Sequence, residues 1–201
     1  MQNPCDVVED VLRIHGYNNI ELPARISMSM STEGEVDRSN KQQNLLSEQL
    51  VATGFKEIMC NSLTKEAYYA VEGTYPAASL VHVLNPLSND LNVMRQTLVY
   101  GGLESLARNI NRKAANLRFF EIGKTYSKTD NKYQEEYHLA LWYTGKSQAA
   151  TWFERQNDGS IHELQAIAFN LLTRLGLSQS SLQTKPSENS LFSIGRTLCT
   201  G

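Results

Sequence analysis

Apolar residues recur at helical spacing in four segments of this chain, and glycines follow several of them. In one segment Leu45, Leu46 and Leu50 share one side of a helix that Gly54 would terminate. The pattern predicts helices over residues 6–15, 39–53, 98–112 and 161–175. A shorter helix is predicted over 65–72, with Thr64 as its cap.

Alternating or β-rich runs lie between these helices. They predict strands over residues 55–63, 80–84, 117–127 and 137–145, and further strands after residue 185. The turn-forming residues 129–131 join two of the strands directly. Because short turns join strands without regular βαβ alternation, we expect an α+β domain with a mainly antiparallel sheet flanked by helices.

Composition narrows the class of protein. The 201 residues are 41% hydrophobic and 20% charged, which is typical of a globular protein. Cys5, Cys60 and Cys199 are far apart in the sequence and form no C-x-x-C pair, which favours a reducing compartment over a disulfide framework. The sequence has neither an apolar run long enough to span a bilayer nor the layout of a signal peptide. We therefore expect a cytoplasmic protein that does not associate with a membrane.

The net charge of −2 hides an uneven distribution. Residues 95–128 hold seven basic residues against two acidic ones, Glu104 and Glu121. The seven basic residues are Arg95, Arg108, Arg112, Lys113, Arg118, Lys124 and Lys128. Two interpretations stay open: a nucleic-acid-binding module that uses this block, or a solvated helix face followed by a strand end.

Three carboxylates near the N-terminus are the first candidate for chemistry. At helical spacing Asp6, Glu9 and Asp10 fall within one third of the helix circumference, so their side chains can converge on a hard cation such as Mg²⁺. Acidic residues in a first helical turn also cap the helix and favour its dipole without a metal. A Mg²⁺-dependent enzyme centred on these residues is therefore one alternative.

Other candidate motifs fail on spacing. Gly123-Lys124-Thr125 and Gly145-Lys146-Ser147 resemble the end of a phosphate-binding loop, but Arg118 and Ala140 stand where its first glycine would be. The four histidines form no i, i+4 pair, and no serine lies in a G-x-S-x-G setting. We predict no catalytic residue in this chain.

Two stretches of the sequence are distinctive. Residues 85–126 read NPLSNDLNVMRQTLVYGGLESLARNINRKAANLRFFEIGKTY, and residues 6–23 read DVVEDVLRIHGYNNIELP. Residues 85–126 resemble the synthetase-like domain of the bacterial phenylalanyl-tRNA synthetase beta subunit. Residues 6–23 resemble the end of the domain that precedes it in the same subunit. The resemblance covers most of residues 5–144. It implies a class II aminoacyl-tRNA synthetase-like core.

The resemblance also implies a domain division. Residues 1–24 would be the end of the DNA-binding-like B5 domain, 25–38 a linker, and 39–201 a catalytic-like but non-catalytic core truncated at its C-terminus. The chain would then be a fragment of a longer polypeptide. Its parent enzyme would join phenylalanine to tRNA with ATP and Mg²⁺, as a tetramer of two alpha and two beta subunits. The alpha subunit would carry the active site, and helices 39–53 and 98–112 would be candidate contacts with it.

The resemblance carries over to particular residues. In the family a D-x-x-E-E cluster is assigned to magnesium; Asp6 and Glu9 match it, whereas Asp10 replaces a glutamate. A further ligand belongs upstream of residue 1, so this chain alone should bind Mg²⁺ weakly. A working class II core holds ATP with an arginine two residues before an acid on its motif 2 strand. The corresponding residues 118–126 lack that pair, so we expect this chain not to bind ATP.

Overall fold

The structure is a computed structural model and describes residues 3–21, 25, 33–70, 74–130, 132–148, 151–153, 156–187, 189 and 191–200. The chain divides into two compact units, Met1–Glu35 and Val36–Gly201. Among the described residues, no helix combines the length and apolarity needed to cross a lipid bilayer.

Four α-helices and seven β-strands occur in the described residues. In chain order they are α1 (Pro4–His15), α2 (Glu35–Ala52), β1 (Lys56–Glu57), β2 (Leu63–Thr64), β3 (Val93–Met94), α3 (Val99–Ile110), β4 (Leu117–Thr129), β5 (Lys132–Thr144), α4 (Ile161–Arg174), β6 (Leu182–Pro186) and β7 (Arg196–Thr200).

Helix α1 begins earlier than the sequence predicted. Its N-cap is Asn3, and Pro4 occupies the first turn, where its missing N–H costs no helical hydrogen bond. Asp6, the third residue of the helix, completes a capping box, since its Oδ2 accepts the backbone N–H of Asn3 at 3.1 Å. The helix ends as predicted at Gly16, which has a φ of 86° and whose N–H donates to the Leu12 carbonyl at 2.9 Å.

Helix α2 also begins earlier, at Glu35 rather than Ser39. Residues 35–38 of the predicted linker are thus helical; three of the four, Glu35, Asp37 and Arg38, are charged, so this exposed first turn shows no apolar stripe in the sequence. Linker residues 26–32 lie outside the described residues. The helix stops where it was expected to, because Gly54 has a φ of 87°.

The segment after α2 is less regular than predicted. Instead of one strand over 55–63 there are two short ones, β1 and β2, in different sheets. The predicted helix over 65–72 is a 3₁₀ turn over Glu66–Tyr69, and residues 71–73 lie outside the described part. The predicted strand over 80–84 reduces to an isolated bridge between His82 and Val93. Tertiary packing overrides a β-rich composition here.

The central sheet has the strand order β1-β4-β5. Strands β4 and β5 form a long antiparallel hairpin, in register from Leu117 opposite Thr144 to Thr129 opposite Lys132. Strand β1 pairs with β4 in parallel, and β2 with β3 and β6 with β7 pair in antiparallel fashion. The predicted α+β, mainly antiparallel architecture is confirmed.

Both faces of β4 are covered by apolar side chains. Because successive strand residues point to opposite faces, Phe119 and Phe120 enter different clusters. We call these clusters the α3-side cluster and the α2/α4-side cluster. The α3-side cluster holds Leu98, Leu106, Leu117, Phe119 and Trp142. The α2/α4-side cluster holds Leu50, Phe55, Phe120 and Leu171.

Helix α4 follows the predicted bounds closely. Ser160 caps it, with its Oγ accepting the Glu163 N–H at 3.3 Å, and Gly176 after its end has a φ of 90°. Strands β6 and β7 then form a hairpin. Strand β7 lies within the region predicted to hold strands, whereas β6 begins earlier than predicted, at Leu182.

Candidate functional site

A buried ion pair lies on the α3 side of β4. Arg95 follows β3, and Glu121 is the fifth residue of β4; they are 6% and 1% exposed. The Arg95 Nη1 lies 2.6 Å from the Glu121 Oε1. Two charges so completely removed from water must be paired, because either one alone would keep its full desolvation cost.

Backbone groups hold Arg95 in place. Its Nε donates to the Lys124 carbonyl at 2.9 Å, and its Nη1 also donates to the Cys60 carbonyl at 3.4 Å. A Cβ at Gly123 would overlap the Arg95 guanidinium, so glycine at this strand position leaves the space that the ion pair needs. The guanidinium is therefore committed to the interior of the protein.

Cys60 lies beside this pair. Its backbone N–H donates to the Glu121 Oε1 at 3.3 Å, and its Sγ lies 3.6 Å from the Ser105 Oγ. Partial burial raises the pKa of the Cys60 thiol, so the thiol is not activated as a nucleophile at neutral pH. The Glu121 Oε2 has no hydrogen-bond partner among the described residues.

Trp142 fills the rest of this face of the sheet. It is opposite Phe119 in the register and 7% exposed. Its ring lies against Gly102 of α3 so closely that a Cβ at Gly102 would overlap the ring atoms. The helix and the sheet thus approach each other at a glycine, and the indole occupies the gap.

The cations of β4 are engaged within the protein. Arg118 stacks over the Tyr143 ring at 4.9 Å, Lys124 lies 2.7 Å from the Glu135 Oε2, and Lys128 lies 5.8 Å from the centre of the Tyr133 ring. The ion pair with Glu135 raises the pKa of Lys124. Strand β4, which by the family resemblance corresponds to the ATP-binding motif 2 strand, therefore has these three cations in contact with neighbouring side chains of the same chain.

A cleft of about 580 Å³ opens next to Arg95. Its lining is of mixed charge, since Lys65 pairs with Asp90 at 3.4 Å and Glu104 accepts a hydrogen bond from the Tyr68 hydroxyl. That hydrogen bond raises the pKa of Tyr68 to about 12. Two arginines, Arg95 and Arg108, line the cleft, but the Arg95 guanidinium is already bound to Glu121, and a triphosphate would also meet the carboxylates of Asp90 and Glu104. This mixed lining matches ATP poorly.

The basic block of residues 95–128 does not form one continuous surface. Arg95 is buried, whereas Arg118 and Lys128 lie near opposite ends of β4. At about 3.3 Å per residue, ten residues of strand separate these two by roughly 30 Å. Only part of the block can face any one ligand.

The predicted metal ligands lie on the first turns of α1. Asp6 is used in capping, and the Glu9 Oε1 accepts a hydrogen bond from the Arg13 Nη2 at 2.6 Å. Asp10 is exposed. Within the described part of the chain, no cluster of three His, Cys, Asp or Glu side chains is placed to hold a metal ion. The magnesium assignment of Asp6, Glu9 and Asp10 stays a prediction.

Glu163 at the start of α4 connects this helix to the sheet. The Ser147 hydroxyl donates to its Oε1 at 2.5 Å and the Tyr143 hydroxyl to its Oε2 at 2.7 Å. These bonds lower the pKa of Glu163 below its usual 4.5, and the bond from Ser147 has the largest effect. The folded state therefore favours the carboxylate form.

We expect the substitution Glu163→Gln to lower the melting temperature at neutral pH but not in acid. A carboxyl whose folded pKa is depressed stabilises the protein above the unfolded pKa and loses this effect as the pH falls through the folded value. Melting curves from pH 7 to pH 3 should therefore converge for the two proteins, whereas the exposed Glu57→Gln control should match the unsubstituted chain throughout. A difference that persists unchanged into acid would contradict the assignment.

The Arg95–Glu121 pair was missed by the sequence analysis. Its partners are 26 residues apart and no local motif joins them. One signal was present: Glu121 shares a strand face with Phe119 and Gly123, where an acid needs a buried cation.

Solved structures share this fold. A pyrrolysyl tRNA synthetase from Desulfitobacterium hafniense matches with a TM-score of 0.56 and 18% identity, over 81% of this chain and 54% of that one. An ATP phosphoribosyltransferase regulatory subunit/histidyl-tRNA synthetase from Bacillus halodurans matches with a TM-score of 0.57 and 16% identity, over 83% and 42%. The fold is that of a class II aminoacyl-tRNA synthetase-like core.

Sequence comparison is more specific. The model of the phenylalanyl tRNA synthetase beta chain CLM domain matches residues 22–199, and the chain belongs to this family. The phenylalanine–tRNA ligase beta subunit of Bacteroides fragilis is 48% identical over all of this chain and 26% of its own length. That of Porphyromonas gingivalis is 40% identical over 93% of this chain and 24% of its own. The chain thus spans about a quarter of these relatives.

Proposed function

We propose that this chain is a non-catalytic structural part of the beta subunit of phenylalanine–tRNA ligase, an enzyme that attaches phenylalanine to its tRNA with ATP. One observation carries the proposal. Both faces of β4, the strand compared with the ATP-binding motif, are covered by the chain's own side chains, and Arg95 is neutralised by Glu121. In the cleft beside Arg95, electrostatic stabilisation of a reacting phosphate would need a preorganised cation that is not already paired.

The partner in this proposal is the alpha subunit, which would carry the active site. Two alpha and two beta subunits would form a tetramer, and the alpha subunit would bind the tRNA together with the complete beta chain. Helices α2 and α3 are the proposed contacts. On α3, Leu103 and Ile110 are 49% and 47% exposed and lie two turns apart on one side; on α2, Val36 and Val51 are exposed. Apolar side chains in this setting suit the core of an interface.

Co-purification tests the contact. In the complete beta chain, we expect Leu103→Lys/Ile110→Lys or Val36→Lys/Val51→Lys to reduce capture of a tagged alpha subunit at least tenfold, because a lysine in an apolar interface core is costly. The matched control is Ile161→Lys/Leu175→Lys, at the first residue and the C-cap of α4, where both residues are similarly exposed. Full capture by both pairs of variants would contradict the proposed interface.

The remaining assignments belong to the same proposal. Residues 1–24 would end the B5 domain and residues 39–201 would form the core. Asp6, Glu9 and Asp10 would contribute to a magnesium site that the complete enzyme shares with its alpha subunit. The fit to Mg²⁺ in this chain alone is poor, since Asp6 and Glu9 already have partners. Calorimetry should therefore give no saturable Mg²⁺ binding to this chain. The three free thiols are consistent with a cytoplasmic location.

A further inference from the structure

A cleft of about 560 Å³ lies at the end of the central sheet away from the hairpin tip. The start of β4, the end of β5 and the turn after α2 form its walls. Three cations line it, Lys56, Arg118 and Lys146, together with the polar Asn116 and Ser147. Among the described residues that line the cleft, none is acidic.

Arg118 is fixed in this cleft. Its Nη1 donates to the Thr53 carbonyl at 3.1 Å, and its Nη2 donates to the Ser147 carbonyl at 2.5 Å and to the Tyr143 hydroxyl at 3.4 Å. Stacking on Tyr143 holds the plane of the guanidinium. Within the described part of the chain, no carboxylate forms an ion pair with it. Its position is therefore set before any ligand arrives.

Two acids lie next to the cleft and offset part of its positive charge. The Glu163 carboxylate attracts Arg118 electrostatically, while its oxygens accept the hydroxyls of Ser147 and Tyr143. Lys146 pairs with Asp158 at 2.6 Å, and Asp158 is 83% exposed at its side chain, so this pair is easily exchanged for another anion. Lys56 is exposed.

A structural role explains Arg118 only in part. A cation at the C-terminal end of α2 complements the helix dipole and binds its last carbonyls. That role does not require two lysines on the same concave surface, where like charges repel one another. The arrangement of one rigid guanidinium and two mobile ammonium groups suits an anion with several oxygens.

We propose that this cleft, which we call the Arg118 cleft, binds a phosphate group. Arg118 supplies fixed donors, and Lys56 and Lys146 close on the phosphate from the rim. The phosphate belongs either to an RNA backbone or to a small free phosphate compound. The proposal does not depend on the ligase assignment, since it concerns only the charges around this cleft.

Binding of two probes tests the proposal. The 201-residue chain is titrated at low salt with a fluorescent single-stranded oligouridylate and, separately, with pyrophosphate by calorimetry. We compare Lys56→Gln/Lys146→Gln with a matched control, Lys128→Gln/Lys132→Gln, which removes the same charge at the hairpin tip. Three phosphate contacts on a single strand give a slope of about −2 for log affinity against log salt.

The expected result is a loss of about tenfold in affinity for the cleft variant and little change for the control. The salt slope should fall by more than one for the cleft variant alone. Binding of oligouridylate only assigns the site to RNA, whereas binding of both probes, with pyrophosphate displacing the oligonucleotide, assigns it to any accessible phosphate. Melting curves check that each variant is folded; if loss of the Lys146–Asp158 pair unfolds the protein, Lys56→Gln alone replaces the double variant.

Three results would overturn the proposal. They are equal losses in the cleft and tip variants, no binding of either probe at low salt, and binding of a polyglutamate peptide in preference to both phosphate probes. The last would make the Arg118 cleft a contact for carboxylates of a partner protein.

Discussion

Replacing Arg95 by methionine should lower the free energy of unfolding by about 3–5 kcal/mol, because it leaves the Glu121 carboxylate buried without a counter-charge. The Glu121 side chain is 2% exposed and its Oε2 already lacks a partner among the described residues. Methionine keeps most of the arginine's aliphatic volume, so the loss reports the charge rather than a cavity. Urea-induced unfolding at neutral pH, followed by far-UV circular dichroism, measures the difference.

Two controls separate the ion pair from general damage. The double variant Arg95→Met/Glu121→Leu should recover much of the stability, since it removes both charges together. The substitution Lys124→Met breaks the exposed pair with Glu135 and should cost less than about 1 kcal/mol. If Arg95→Met were as mild as Lys124→Met, the buried pair would not be what holds β3 against β4.

Replacing Gly102 by alanine should destabilise the protein by about 1–3 kcal/mol. Alanine is the better helix former by about 1 kcal/mol, so helix propensity alone predicts the opposite sign. The added methyl group would overlap the Trp142 ring, and α3 would have to move away from the sheet. Thermal unfolding of the two proteins decides between these effects.

The contact can be tested by a double-mutant cycle. In a Trp142→Leu background, which opens the space that the methyl group needs, Gly102→Ala should cost little or become favourable. Gly101→Ala is the neighbouring control: its Cβ would meet the Cys60 Cβ at 2.9 Å, a milder overlap at the edge of the cluster. Equal costs of Gly102→Ala in both backgrounds would mean that Trp142 does not set the distance between α3 and the sheet.

Local patterns were sufficient for the elements with strong periodicity. The apolar stripe of α3 and the apolar positions of β4 predicted the bounds of these two elements to within two residues. Strand β5 begins five residues before its predicted start, at Lys132, because its first half is polar and exposed. Gly16, Gly54 and Gly176 follow helix ends and have positive φ angles. The hairpin itself follows from its turn, where Asp130 has a φ of 48°. These are interactions between residues close in sequence.

What the sequence did not predict depends on distant partners. Strand β1 is two residues long, and its partners in the parallel pairing, Phe119 and Phe120, lie some sixty residues later in the sequence. Similarly, Arg95 and Glu121 meet through the packing of β3 on β4, and Arg118 and Lys146 share a cleft because the ends of β4 and β5 are adjacent. A charge count along the chain placed Arg95 and Arg118 in one block, whereas the fold buries the first and presents the second to the cleft.

The central claim is that this synthetase-like core is filled by its own side chains and does no chemistry on ATP. Phenylalanine-dependent exchange of radiolabelled pyrophosphate into ATP tests it most directly, with the assembled ligase of alpha and complete beta subunits as the positive control. We predict that this chain alone exchanges no more label than buffer, at any phenylalanine concentration. Exchange by this chain that requires phenylalanine would contradict the claim, because it would show that an adenylate forms on a core whose buried arginine is already paired with Glu121.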